Sequence, residues 1–85
     1  MSRDACVKQV LETGIVAIVR SHDSQQLVEV ARALVDGGVT VIEITMTVPH
    51  ALDVIKQVRH ALGDRIMLGA GTILDTETGR AAILA

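Results

Sequence analysis

Val39-Thr40-Val41-Ile42-Glu43-Ile44-Thr45-Met46 is the stretch whose reading decides the fold. Apart from Glu43, every residue in it is apolar or β-branched, which is the pattern of a parallel strand buried on both faces. A carboxylate in that setting loses its water, so it must find a partner, stay protonated or face a wet cavity. Strand alternation puts Val41, Glu43 and Thr45 on one side and Ile42 and Ile44 on the other, so the polar members share a face. A carboxyl group near the end of a parallel strand suits general acid–base chemistry. An edge-strand glutamate turned to solvent, or one capped by an arginine, is the alternative.

Working outward, the same strand–helix unit recurs on both sides. Ile15-Val16-Ala17-Ile18-Val19 is a β-branched run ending at Arg20, followed by Ser21-His22-Asp23-Ser24. Asp23 there reads as a helix N-cap, with Gln26 completing a capping box. Leu27, Val30, Ala31, Leu34 and Val35 follow at helical spacing until Gly37-Gly38. After the central strand, Pro49 reads as the first helical turn. Ala51, Leu52, Ile55, Val58 and Leu62 then form one apolar face, closed by Gly63. The third unit is Ile66-Met67-Leu68, a loop Gly69-Ala70-Gly71-Thr72, and a helix opening near Asp75 and Thr76. The onsets Ile15, Thr40 and Ile66 lie 25 and 26 residues apart. That is the repeat of a βα unit in a barrel or wound sheet. Residues 3–12 add a leading helix suited to cover the bottom of a barrel. In such architectures ligands bind beyond the carboxyl ends of the strands, where Arg20, Thr45, Thr47 and Thr72 fall with Glu43 just below.

Composition narrows the function classes. The chain has 85 residues, is 49% hydrophobic and carries a net charge of −2, which fits one soluble globular domain or part of one. No basic cluster and no aromatic residue is available to hold nucleic acid. No apolar run approaches the roughly 20 residues that span a bilayer, and the N-terminus has no signal-peptide pattern, so no membrane partner and a cytoplasmic location are expected. Cys6 is the only cysteine and forms no internal disulfide. His22, His50 and His60 lack metal-ligand spacing, and no metal is expected. Gly69-Ala70-Gly71 is not a dinucleotide fingerprint, because its third glycine position holds Leu74; those glycines read instead as letting a loop approach a ligand or turn tightly. Taken alone, Thr72 has the alternative reading of a turn or cap residue, and Arg20 that of the partner of a surface carboxylate such as Asp23.

Three segments resemble the 2-keto-3-deoxy-6-phosphogluconate (KDPG) / 4-hydroxy-2-oxoglutarate (KHG) aldolases: Gly14-Ile15-Val16-Ala17-Ile18-Val19-Arg20, Ile42-Glu43-Ile44-Thr45-Met46-Thr47-Val48-Pro49 and Leu68-Gly69-Ala70-Gly71-Thr72-Ile73-Leu74. Ala33-Leu34-Val35-Asp36-Gly37-Gly38-Val39 is similar as well. The resemblance covers essentially the whole chain and about the first third of such an enzyme. It implies an α/β fold, part of a (β/α)₈ TIM barrel comprising the leading helix and the first three βα units, with residues 1–85 the N-terminal portion of one barrel domain. It also implies class I aldol cleavage through a lysine Schiff base, with no cofactor, a small keto-acid substrate and a homotrimer.

By that resemblance Glu43 matches the catalytic glutamate that shuttles protons. Thr72 matches the threonine that hydrogen-bonds the pyruvyl carboxylate, and Arg20 an arginine that helps hold it. Thr45, Thr47 and Gly71 fall in the same matched segments as substrate-binding positions. Many members carry arginine where this chain has Thr47. The Schiff-base lysine and the phosphate-binding loops are expected on later strands, beyond residue 85. Lys8 and Lys56 lie on helical stretches, where an exposed amine is a poor imine former, so the isolated chain is expected to be inactive. Two other readings remain. One is a non-catalytic module that associates through the open edges of a partial barrel. The other is a related phosphate-handling barrel, such as a 2-keto-3-deoxy-6-phosphogalactonate aldolase or a thiamine-phosphate synthase.

Overall fold

The computed structural model describes residues 2–85. Helix α1 (Arg3–Thr13) leads into β1 (Ala17–Val19), a 3₁₀ turn (Ser24–Gln26) and α2 (Leu27–Asp36). Strand β2 (Val41–Thr45), α3 (Ala51–Leu62), a second 3₁₀ turn (Gly63–Arg65), β3 (Met67–Gly71) and α4 (Thr76–Leu84) complete it. The strands form one parallel sheet in the order β1-β2-β3. This α/β arrangement of successive βα units agrees with a partial (β/α)₈ barrel.

Parallel neighbours need a crossover, and the 3.6-residue periodicity of α2 and α3 supplies two amphipathic ones. Their apolar sides close on one face of the sheet. Val19, Ile42 and Ile44 pack there with Leu27 and Ala31 of α2, and with Val54, Ile55, Val58 and Leu62 of α3. Leu68 and Ala70 of β3 complete that layer. Each Leu or Ile buried this way contributes roughly 1.5–3 kcal/mol, and this layer is the main source of stability.

Several local expectations are corrected. Strand β1 starts at Ala17, and Ile15 and Val16 before it are exposed. Asp23 caps the 3₁₀ turn before α2, accepting from the Gln25 N–H at 3.0 Å, so the capping box to Gln26 is not the device used. Pro49 is not in the first turn of α3. The chain first turns sharply after β2, where the Val48 N–H donates to the Thr45 carbonyl at 3.1 Å and Val48 enters the core. His50 then takes a left-handed conformation (φ 55°, ψ 40°) and α3 begins at Ala51. Burying Val48 takes up the residues that Pro49 needed for helix entry. Helix α1 approaches β2, but none of its residues is buried, and Val7 and Leu11 remain exposed; it covers little of the sheet.

The most consequential correction concerns Gly69-Ala70-Gly71. These residues are strand, not loop: β3 runs through Gly71, which pairs with Thr45. The ladder with β2 outweighs the low strand preference of glycine, because each rung satisfies backbone groups that a loop would have to expose. The Met46 N–H donates to the Gly71 carbonyl at 2.9 Å and carries the pairing one step further.

Candidate active site

Register decides which side chains share a face. Ile18 and Gly69 are the neighbours of Glu43 on β1 and β3, while Val41 pairs with Met67 and Thr45 with Gly71. Ile42 and Ile44 belong to the helix-covered layer, so Glu43 points to the opposite face, between Val41 and Thr45. Both of those residues are buried, whereas Glu43 itself is half-buried. Ile18 beside it is 58% exposed. The carboxylate therefore stands on a sheet face with apolar flanks and open access to water. It is not the two-sided burial that the apolar run alone implied, and among the described residues Glu43 enters no ion pair.

The side chain of Glu43 leans toward β3. A β-carbon at Gly71 would collide with Glu43 Oε1 and would lie 2.7 Å from Cδ and 3.3 Å from Cγ. Glycine here provides space. Immediately beyond it, Thr72 is exposed and left-handed at φ 61°. A threonine in that region costs of order 1–3 kcal/mol. Such a conformation marks the loop after β3 as one whose shape is held against local preference.

Thr45 is the only buried polar residue among the described positions. Its hydroxyl satisfies itself on Thr47, with 2.6 Å between the two oxygens. The sequence reading placed both threonines at the strand end and missed this pairing. The hydrogen bond folds the turn after β2 back over the strand terminus, leaving Thr47 exposed at the rim.

Arg20 follows the last residue of β1 and is exposed. It lines a groove along the free edge of β1 with Gln26, Leu27 and Val30. No ion pair to Asp23 forms, whose carboxylate is used by Gln25. The pairing of β1 with β2 ends at Val19 and Ile44, so Arg20 stands just past the carboxyl end of β1. The structure thus brings Glu43, Thr45, Thr47 and Gly71 into one cluster. Thr72 and Arg20 stand at its two sides, at the carboxyl ends of β3 and β1. Ile18 and Gly69 flank Glu43 on the neighbouring strands, an adjacency that only the inter-strand register reveals, and neither has a role in the proposed site.

The two lysines lie elsewhere. Lys8 is on α1 and faces Glu12 at 3.9 Å; Lys56 is exposed on α3 beside Arg59 and His60. His22, His50 and His60 are all exposed, and among the described residues no group of three or more His, Cys, Asp or Glu side chains is placed to hold a metal. A depression lies between α3, α4 and β3, lined by Ile55, Leu68, Gly69, Ile73 and Ile83. Glu43 is not among the residues that line it.

The family model described as KDPG and KHG aldolase matches residues 7–85. The chain belongs to the KDPG and KHG aldolase family. Over 63 residues it is 36% identical to a 2-dehydro-3-deoxy-phosphogluconate aldolase of Pseudoalteromonas atlantica, covering 74% of this chain and 29% of that protein. A KHG/KDPG aldolase of Escherichia coli K12 is 34% identical over 71 residues, 82% of this chain and 33% of the relative. A 2-dehydro-3-deoxy-phosphogluconate aldolase of Treponema pallidum is 32% identical over 68 residues, 80% and 32% respectively. The chain spans about a third of the length of these relatives. Among the described residues no helix is long and apolar enough to cross a membrane.

Proposed function

We propose that this chain supplies the acid–base group and part of the keto-acid pocket of a Schiff-base aldolase, with the imine-forming lysine on a later strand of the same barrel domain. The observation that carries the reading is the Glu43 carboxylate, held on the sheet face opposite the helices and laid across Gly71 at the carboxyl ends of the strands. In the reaction, the lysine amine condenses with the substrate keto group and releases water. A base takes the proton of the hydroxyl on the carbon beyond the bond to be cleaved. The carbon–carbon bond then breaks, its electron pair flows into the iminium to give an enamine, and an aldehyde leaves. Protonation of the enamine carbon and hydrolysis release pyruvate.

Glu43 is the proposed carrier of those protons. The Thr72 hydroxyl and the Arg20 guanidinium donate to the keto-acid carboxylate, and Thr45 and Thr47 shape the rim beside it. The substrates in view are 2-keto-3-deoxy-6-phosphogluconate, giving pyruvate and glyceraldehyde 3-phosphate, and 4-hydroxy-2-oxoglutarate, giving pyruvate and glyoxylate. The proposed assembly is a cytoplasmic homotrimer. The 85 residues by themselves are expected to release no pyruvate. In the complete barrel, Glu43→Gln should lower turnover at least ~100-fold, because it removes proton transfer while keeping size. Unchanged pyruvate release in that variant would take Glu43 out of the mechanism.

A second reading is favoured by one observation: β1 and β3 both present free edges, and Ile18 stands exposed on the open face. On this reading the chain self-associates without catalysis. Size-exclusion chromatography with light scattering separates the two, since a well-dispersed monomer of 9.0 kDa would count against association.

A further inference from the structure

We propose that Gly71 is a positioning residue for Glu43: its missing side chain leaves the space in which the carboxylate lies, and so sets which way the acid–base group leans. The inference rests on the aldolase reading for its kinetic consequence, but its structural content stands apart from that reading.

Backbone conformation does not explain this glycine. The glycines with positive φ among the described residues are Gly14, Gly38 and Gly63; Gly71 is ordinary strand. Its place is fixed by the ladder, since it pairs with Thr45 and accepts from the Met46 N–H at 2.9 Å. The strand therefore cannot retreat from an added side chain. All three atoms that a β-carbon would meet most closely belong to Glu43: Oε1, then Cδ at 2.7 Å and Cγ at 3.3 Å. Something has to move, and the movable partner is the long, singly anchored glutamate. It would swing off β3, away from Thr72, either across toward Ile18 and Arg20 or out into water.

Gly69 provides the internal control. It sits on the same strand, pairs with Glu43 itself and faces the same side, yet a β-carbon there meets nothing within 4 Å. A general cost of replacing strand glycine, whether from backbone entropy or strand preference, would act on both positions alike. Only displacement of Glu43 singles out Gly71. Because the displaced group is the end of a flexible side chain, the fold should survive while the reactive group is misplaced. A shift of about 1 Å in a catalytic group can cost roughly 100-fold in rate.

The test combines kinetics on the complete barrel enzyme with spectroscopy on this chain. Gly71→Ala should lower kcat by roughly 10- to 100-fold with KM changed less than about threefold, and Gly69→Ala should leave both unchanged. In a Glu43→Gln background, Gly71→Ala should add less than about a twofold loss, because the group it displaces no longer transfers protons. Retained kcat in Gly71→Ala, or losses that multiply independently of residue 43, would overturn the proposal. In the chain itself, nuclear Overhauser contacts should join the Glu43 γ-methylene to the Gly71 α-protons, and Gly71→Ala but not Gly69→Ala should abolish the Glu43 placement. Missing contacts would sink the inference whatever the enzyme does. Contacts present in a barrel that cleaves no keto acid would sink the aldolase reading and leave the packing claim standing.

Discussion

Ile44 and Glu43 are adjacent in β2, yet they lie in two different kinds of protein. Ile44 is 1% exposed in a layer of Val, Ile and Leu side chains contributed by α2 and α3. Glu43, one residue earlier, lies half-buried on a face where the neighbouring Ile18 is open to water and the β3 positions are glycines. The helix side has the close packing that makes a fold stable. The other side has a carboxylate, a left-handed threonine and a glycine cleared for a side chain, features that add little to stability and make up the proposed site. The division shows that in a single strand alternate residues answer to separate demands, one set to folding and the other, on the proposed reading, to chemistry.

The comparison can be broken most directly through stability. Ile44→Ala should cost about 2–5 kcal/mol through lost burial and the cavity left behind, enough to leave a small domain largely unfolded. Ile18→Ala, an equal truncation on the open face, should stay within about 0.5 kcal/mol. Urea denaturation of both variants measures the gap, and equal costs would mean that the open face is covered in solution.

A smaller effect tests the strain after β3. Thr72→Gly relieves the left-handed backbone, so stability should hold or rise by up to about 1 kcal/mol, while the proposed donor to the keto-acid carboxylate is lost and KM rises in the complete enzyme. A destabilised variant would show that the threonine side chain, not the site, holds the turn.

The smallest effect lies at Asp75, the N-cap of α4. The backbone N–H of Thr78, at 2.6 Å, and then the Thr78 hydroxyl, at 3.0 Å, hold its carboxyl below the ordinary carboxylate value, with a lesser contribution from Glu77. With the folded pKa below the unfolded one, the stabilisation is fully present above the ordinary carboxylate range. It is lost as pH falls through the lowered folded value. Acidification should therefore fray α4 in the parent chain more than in Asp75→Asn, which has no charge to lose. Helical circular dichroism across the acid range reads the difference, which salt should change little because the bonds are local.

Much of this was legible in the order of residues. The strand runs around Ile18, Ile42 and Leu68, the helical stripes of α2 and α3, and a helix opening near Asp75 and Thr76 are local patterns set by periodicity and by hydrogen bonds over a few residues. Glu43 stood out because a carboxylate in an apolar run is costly unless it finds a partner, stays protonated or reaches water. Two of the errors share one origin. Gly69-Ala70-Gly71 read as a loop because glycine has poor strand preference, and Pro49 read as a helix start because proline suits that position. In both places a partner distant in the chain decided otherwise: β2 captured the glycines into its ladder, and the core took Val48.

The amino-acid sequence alone determined that strands and helices alternate, which faces of the helices are apolar, and that an acid sits in the middle strand. Each of these depends on residues within one or two turns of one another. Only the tertiary structure decided that Glu43 lies across Gly71, that Thr45 and Thr47 share a hydrogen bond, and that Arg20 borders the free edge of β1. Those relations depend on inter-strand register and side-chain direction, and a one-residue slip in either would put the same residues on opposite faces of the sheet.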